Sequence, residues 1–329
     1  MCKRSISIDL IKVVAMFSVL ALHSFGASAK WRVVNIFYES AVIGVPLFYM
    51  VSGYLLLGKQ MVDVKYVCKK ICNIIRIIVI LSVIWWVGVS IRSGHFYFSN
   101  LFWILKGAFI QDGPLWICWY LASMILIYSL LPLLRTLYVY QSYWYALFFL
   151  LVVESFVFYL NTGIHGEQNV IQTLRIWNWL FYFLLGGGIK RLQMINNHNK
   201  LSFVKYLIVL LLIVNIFFQE VMKPMINSPY CEYFYCSFPV ILLSASLFHF
   251  ISKVKLTNYY ICYIINFLSP LFLPIYLFHP LFLDVYTNLI LPVPESMKPY
   301  ICFLFTTILS ISFCFCLNNV KFIKNNLRI

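Results

Sequence analysis

Charge is scarce in this chain. Of 329 residues only 11% are Asp, Glu, Lys or Arg, and the acidic ones number 10. Soluble domains carry about 25% charged residues, so this composition excludes an ordinary water-facing globular surface. Repeats, low-complexity tracts and interdomain linkers are also missing, leaving one domain over residues 1–329 with no appended soluble module. The 10 cysteines lack paired CxxC or Cys/His spacing, so no metal site is expected. Most of them fall in apolar runs, where cysteine acts as a small hydrophobe. Cys231 and Cys236 lie near the outer surface, where a disulfide is possible but unforced.

What the chain does have is apolar surface. It is 63% hydrophobic and 19% aromatic, with a mean hydropathy of +0.88. A membrane-crossing helix needs about 20 apolar residues, and ten such runs are legible: roughly 9–29, 39–58, 74–92, 114–134, 142–160, 174–190, 203–219, 233–251, 267–289 and 299–318. The expected fold is all-α, a polytopic membrane helical bundle of about ten transmembrane helices with both termini cytoplasmic. That orientation leaves seventeen Lys and Arg on the inner side and seven on the outer, as the positive-inside rule requires. The net charge of +15 then reports topology and not nucleic-acid binding. The partner is the lipid bilayer, and the oligomeric state is not legible. The run 101–111 reads as a helix lying in the interface; 259–266 either does the same inside or extends the ninth span. Lys3, Arg4, an apolar run and Ala27-Ser28-Ala29 resemble a secretory signal. An uncleaved first span is the preferred reading, because that run also holds Lys12 and His23.

Ionisable groups inside a membrane segment are functional hypotheses by default. Eleven helical steps separate Lys12 from His23, about 1100° or three turns plus roughly 20°, and about 16 Å of rise. Both therefore share one face. Asp9 and Lys12 are three apart and can pair; Lys12 also has the option of snorkelling to headgroups. His23 titrates near neutrality, which suits a general base.

Other segments carry weaker signals. In Val45-Pro46-Leu47-Phe48-Tyr49-Met50-Val51-Ser52-Gly53-Tyr54, Ser52 and Gly53 are small enough for close helix approach. Glu39 precedes this segment as an interfacial charge or a partner for an imidazole. Lys59, Lys65, Lys69, Lys70 and Arg76 form a basic inner loop. It either marks topology and headgroup contact or cradles the phosphates of a cytosolic donor. Two prolines, Pro270 and Pro274, interrupt the apolar span before His279; either the freed carbonyls line a cavity, with Asp284 one turn later as a candidate to orient the imidazole, or the helix is a kinked packing element with His279 bonded to a carbonyl. Trp116 and Trp119 sit in an aromatic belt or serve as sugar platforms. Glu154 is a lone intramembrane carboxylate.

Taken together these segments resemble the integral-membrane acyltransferase 3 family. Lys12-x10-His23 is similar to the family's Arg-x10-His, with lysine keeping the charge but not the bidentate fork. Phe48-Tyr49-x-x-Ser52-Gly53-Tyr54 resembles its Phe-Phe-x-x-Ser-Gly-Tyr/Phe. Trp119-Tyr120-Leu121 followed by Leu130-Leu131-Pro132-Leu133-Leu134 resembles its fourth-span motif, with Ile117 where histidine is frequent. Ile275-Tyr276-Leu277-x-His279-Pro280 resembles its Ile-Tyr-Leu-x-His-Pro.

The resemblance implies a bacterial inner-membrane O-acetyltransferase of surface polysaccharide. Acetyl-CoA would be the acyl donor, its phosphates held by Lys65, Lys69, Lys70 and Arg76. His23, Lys12 and His279 would form the catalytic set, with Glu39, Ser52, Trp116, Trp119 and Tyr276 toward a glycan or lipid-linked sugar acceptor. His23 would act as base or carry the acyl group itself. A membrane glycan exporter, flippase or polymerase without acyl transfer is the alternative. It would need no CoA.

Overall fold

The computed structural model describes residues 5–26, 32–59, 62–195, 201–289 and 292–319. Lys3, Arg4 and the Ala27-Ser28-Ala29 site lie outside the described residues. Among the described residues, thirteen α-helices make up the bundle. In chain order they are α1 (Ile6–Phe25), α2 (Arg32–Ser40), α3 (Gly44–Leu56), α4 (Val64–Ser93), α5 (Phe98–Ile110), α6 (Trp119–Val139) and α7 (Ser142–Gly163). They continue as α8 (Ile176–Ile195), α9 (Leu201–Ile226), α10 (Phe238–Lys253), α11 (Tyr259–Leu268), α12 (Phe272–Thr287) and α13 (Lys298–Asn319). Short 3-10 turns join several of them, and no strand occurs among the described residues.

Among the described residues, eight stretches are long and apolar enough to cross a membrane: Ile6–Phe25, Val34–Leu56, Val64–Ser93, Phe98–Val139, Ser142–Gly163, Phe203–Ile226, Tyr259–Thr287 and Lys298–Asn319. The sequence reading of about ten also counted α8 and α10. Asn178, the Gly186-Gly187-Gly188 run, Lys190 and Arg191 dilute the apolar character of α8. The 16 residues of α10 reach about 24 Å, short of the ~30 Å hydrocarbon thickness.

One boundary differs from expectation, and one left open is decided. The basic segment 65–76 is no loop: α4 begins at Val64, where the Asp63 side chain accepts from the Tyr66 amide at 2.8 Å. This N-cap lets the helix start ten residues early. The 259–266 run extends the ninth span, with a 3-10 turn at Ser269–Leu271 as the bend between α11 and α12. Pro270 lies in that turn and breaks the α-helical bonding.

Helices α3 and α8 approach most closely. A Cβ on Gly53 would run into the Phe183 carbonyl, and one on Gly186 into the Met50 carbonyl. The two helices therefore touch backbone to backbone, a contact that only glycine permits. Around this pair, α1 and α12 complete a core with Ile11, Met16, Leu47, Tyr49, Trp179 and Ile275 fully buried. On the periphery, α7 and α9 expose Phe148, Phe149, Phe156, Val209, Ile213 and Phe217, faces suited to lipid.

The bundle has two chemically distinct ends. At one, Arg135 donates to the Lys59 carbonyl, Arg191 to the Tyr138 and Tyr140 carbonyls, and Gln193 to Ser252. At the other, Gly26, Tyr38, Gln111, Trp116, Gln172, Tyr230 and Glu232 surround a cavity. The first set comes from segments read as inner, the second from segments read as outer.

Candidate functional site

Helix α1 runs unbroken from Ile6 to Phe25, so the shared face of Lys12 and His23 and their ~16 Å rise hold. Lys12 bonds the buried Asp9 carboxylate at 3.0 Å and lies 5.8 Å from the centre of the Phe272 ring. At the far end, His23 lines a cavity of about 280 Å³ together with Val19, Leu22, Trp116, Ile117, Trp119 and Tyr276. This is close to the lower bound of small-ligand pockets, roughly 300–1,000 Å³.

Two rings fix the His23 imidazole. The indole of Trp116 meets it edge-on, centroids 5.0 Å apart at 82°. The ring of His279 stacks on it at 5.2 Å and 24°. Among the described residues no hydrogen bond engages His23, so packing holds the ring and both nitrogens stay free for a ligand.

His279 is held differently. It is fully buried, and its Nδ1 lies 2.8 Å from the Tyr276 carbonyl. In a regular helix that carbonyl would accept the amide N–H four residues on, at position 280. Pro280 has no N–H, so the carbonyl is free for the imidazole. A carbonyl only accepts, so Nδ1 carries the proton and Nε2 is left with its lone pair bare. That Nε2 is buried without a partner. Asp284 does not orient His279: it is exposed. Five helical steps turn about 500° and carry it away from the histidine's face.

The remaining expected residues separate into two groups. Trp116, Trp119 and Tyr276 line the His23 cavity. The Tyr276 hydroxyl donates to the Ile117 carbonyl, and Trp119 packs on Trp179 with centroids 5.0 Å apart. Ser52 and Glu39 are elsewhere. The Ser52 hydroxyl bonds back to the Phe48 carbonyl at 3.0 Å. Glu39 is fully buried and ion-paired with Lys223 of α9, while its backbone carbonyl accepts from Asn215 and Gln219, each at 3.2 Å. This carboxylate therefore clamps α2 to α9 and does not partner an imidazole. In the basic segment, Lys65, Lys69 and Arg76 are exposed along α4, and Arg76 bonds Asn73 at 3.3 Å. Lys70 turns toward Tyr66, whose hydroxyl accepts from Lys59 at 3.0 Å.

Sequence reading missed the polar rim of the cavity. Gln111, Gln172 and Glu232 contribute to its wall, drawn from three separate connections. Behind them lies a buried network. Glu167 accepts from Asn161 at 2.7 Å and Asn178 at 2.6 Å. Arg175 lies 3.9 Å from both Glu167 and Glu232. Burial pushes the Glu232 carboxyl up, and the Arg175 charge pulls it partly back. Cys231 and Cys236 are free buried thiols. The first faces the Tyr38 carbonyl and the second Glu167, so they do not face each other. Glu154 is fully buried, and neither of its oxygens is bonded.

Membrane-length helices around a cavity lined by a packed imidazole define a multi-pass membrane protein with a candidate site at one end of its bundle. The chain belongs to the acyltransferase 3 family, whose model, described as an acyltransferase domain, matches residues 5–318. Fold and family thus agree on a multi-pass membrane domain of acyltransferase type. Over 133 residues it is 26% identical to an amino-acid racemase of Enterococcus faecalis, covering 37% of this chain. That stretch is 18% of the racemase, so the chain spans only a minor part of that protein's length. No solved structure matches the chain.

Proposed function

We propose that this acyltransferase moves an acetyl group from cytosolic acetyl-CoA to a hydroxyl of a cell-surface or lipid-linked glycan, at a bacterial inner membrane with both termini inside. The observation that carries this reading is His23, free of hydrogen bonds in an aromatic-walled cavity. Donor phosphates would meet the exposed Lys65, Lys69 and Arg76, with Lys70 beside them; this assignment rests on charge and topology. Lys12, paired to Asp9 about 16 Å along α1 from His23, would stand toward the donor.

In the reaction, neutral His23 takes the proton of the acceptor hydroxyl. The oxygen attacks the thioester carbonyl carbon, the C–O bond forms and the C–S bond breaks. The CoA thiolate then leaves with the proton from His23. General-base assistance of this kind contributes about 10²–10⁴-fold. The stacked His279 ring holds the His23 imidazole in place during the transfer. The polysaccharide-export reading finds less support, because transport alone has no use for an unbonded imidazole in the cavity wall.

Membranes containing the protein, given acetyl-CoA labelled in the acetyl group and crude surface glycan, test the reading. Label is expected in the glycan, and mass spectrometry should find the acetyl ester. Consumption of no acetyl-CoA, with the glycan still reaching the surface in a protein-dependent way, would favour export.

A further inference from the structure

Three polar side chains reach the rim of the His23 cavity from three connections. Gln111 ends α5 with φ of 61°. Gln172 stands in the 3-10 turn Gln172–Leu174, and Glu232 in the turn Cys231–Phe234. They are already linked to one another. The Gln172 amide donates to Gln111 Oε1 at 3.2 Å, and Gln172 Nε2 donates to Glu232. Although Gln172 is only 4% exposed, its Oε1 has no partner. A buried acceptor left empty is costly, and this one belongs to a residue that lines a cavity. Glu232 keeps 30% of its side chain accessible and also lines the cavity. Arg175, 3.9 Å away, offsets its charge. Two aromatic groups, Trp116 and Tyr230, complete this part of the wall.

We propose that Gln172, Glu232 and Gln111 form the acceptor subsite, built for an uncharged, hydroxyl-rich six-membered sugar ring. This inference rests on reading the cavity as the acceptor side of the acyltransferase. Neighbouring sugar hydroxyls donate to Gln172 Oε1, which has no partner among the described residues, and to the accessible part of the Glu232 carboxylate. The apolar face of the ring lies against Trp116, as aromatic side chains offer an apolar body to such a ligand. A further hydroxyl then points at His23. Both open positions at the rim are acceptors, so a sugar carboxylate, which offers no proton, would leave them unpaired, and anionic sugars are disfavoured.

The experiment is ligand-detected saturation-transfer NMR on the full chain in detergent micelles, with methyl β-glucopyranoside and methyl β-glucuronide as probes. Transfer to the neutral glycoside and none to the glucuronide is expected. Glu232→Gln and Gln172→Leu should each weaken glycoside binding about tenfold or more. Because Gln172 is buried, Gln111→Ala is the second variant, with melting temperature checked for each protein. Absence of transfer to the neutral glycoside would overturn the subsite. Equal binding of the glucuronide, or wild-type binding by Glu232→Gln and Gln111→Ala, would overturn it too. Binding is read without acyl-CoA, so the two proposals fail separately. Variant-sensitive binding without any acetyl transfer would sink only the acetyltransferase reading. Acetyl transfer with variant-insensitive binding would sink only the subsite.

Discussion

The finest chemical detail of the site is set by a residue that touches no ligand. Pro280 leaves the Tyr276 carbonyl without its helical donor, and His279 Nδ1 fills the gap at 2.8 Å. A Pro280→Ala variant restores a competing N–H. It should lower acetyl transfer several-fold while the melting temperature stays level or rises, since proline is unfavourable inside a helix. Unchanged turnover would show that the tautomer of His279 is immaterial. The pair Tyr276 and His279 was visible in the sequence as part of a motif, but the role of the adjacent proline was not. That role depends on which carbonyl loses its partner, a property of the folded helix.

At the scale of elements, the α3–α8 contact is the tightest seam in the bundle. It places Phe48 and Tyr49 beside Tyr120 and Trp179, which back the cavity wall. Gly186→Ala would drive a methyl into the Met50 carbonyl. Overpacking of this kind costs about 1–3 kcal/mol, so a melting temperature lower by several degrees in detergent is expected; an unshifted melt would mean that the helices part freely. Gly53 was legible as a packing residue from its small neighbours. Gly186 was not, because a glycine's function as a contact depends on what faces it. The start of α4 was also misread: an N-cap at Asp63 outweighed the charge density that suggested a loop.

At the scale of the whole molecule, the Lys and Arg count and the fold agree on two ends. Segments read as inner supply Lys59, Arg135 and Arg191 to one end, and segments read as outer supply Gln111, Gln172 and Glu232 to the other. Topology is checked with a membrane-impermeant maleimide on cysteine-free protein. Tyr230→Cys should label in intact cells, and Lys65→Cys only after permeabilisation; the reverse pattern would invert the orientation. The spans and the α1 face were legible because hydrophobic runs and helical spacing are local. The Glu39–Lys223 clamp and the Gln172–Glu232 rim were not, because each joins residues far apart in sequence and only the packed bundle brings them together.

All three scales converge on the claim that His23 performs the acyl transfer. The direct measurement compares wild type with His23→Ala at matched protein levels, following labelled acetyl groups from acetyl-CoA into glycan. The variant is expected to lose about 10²–10⁴-fold of the rate while keeping the wild-type melt. Undiminished acetylation by a folded His23→Ala protein would contradict the account.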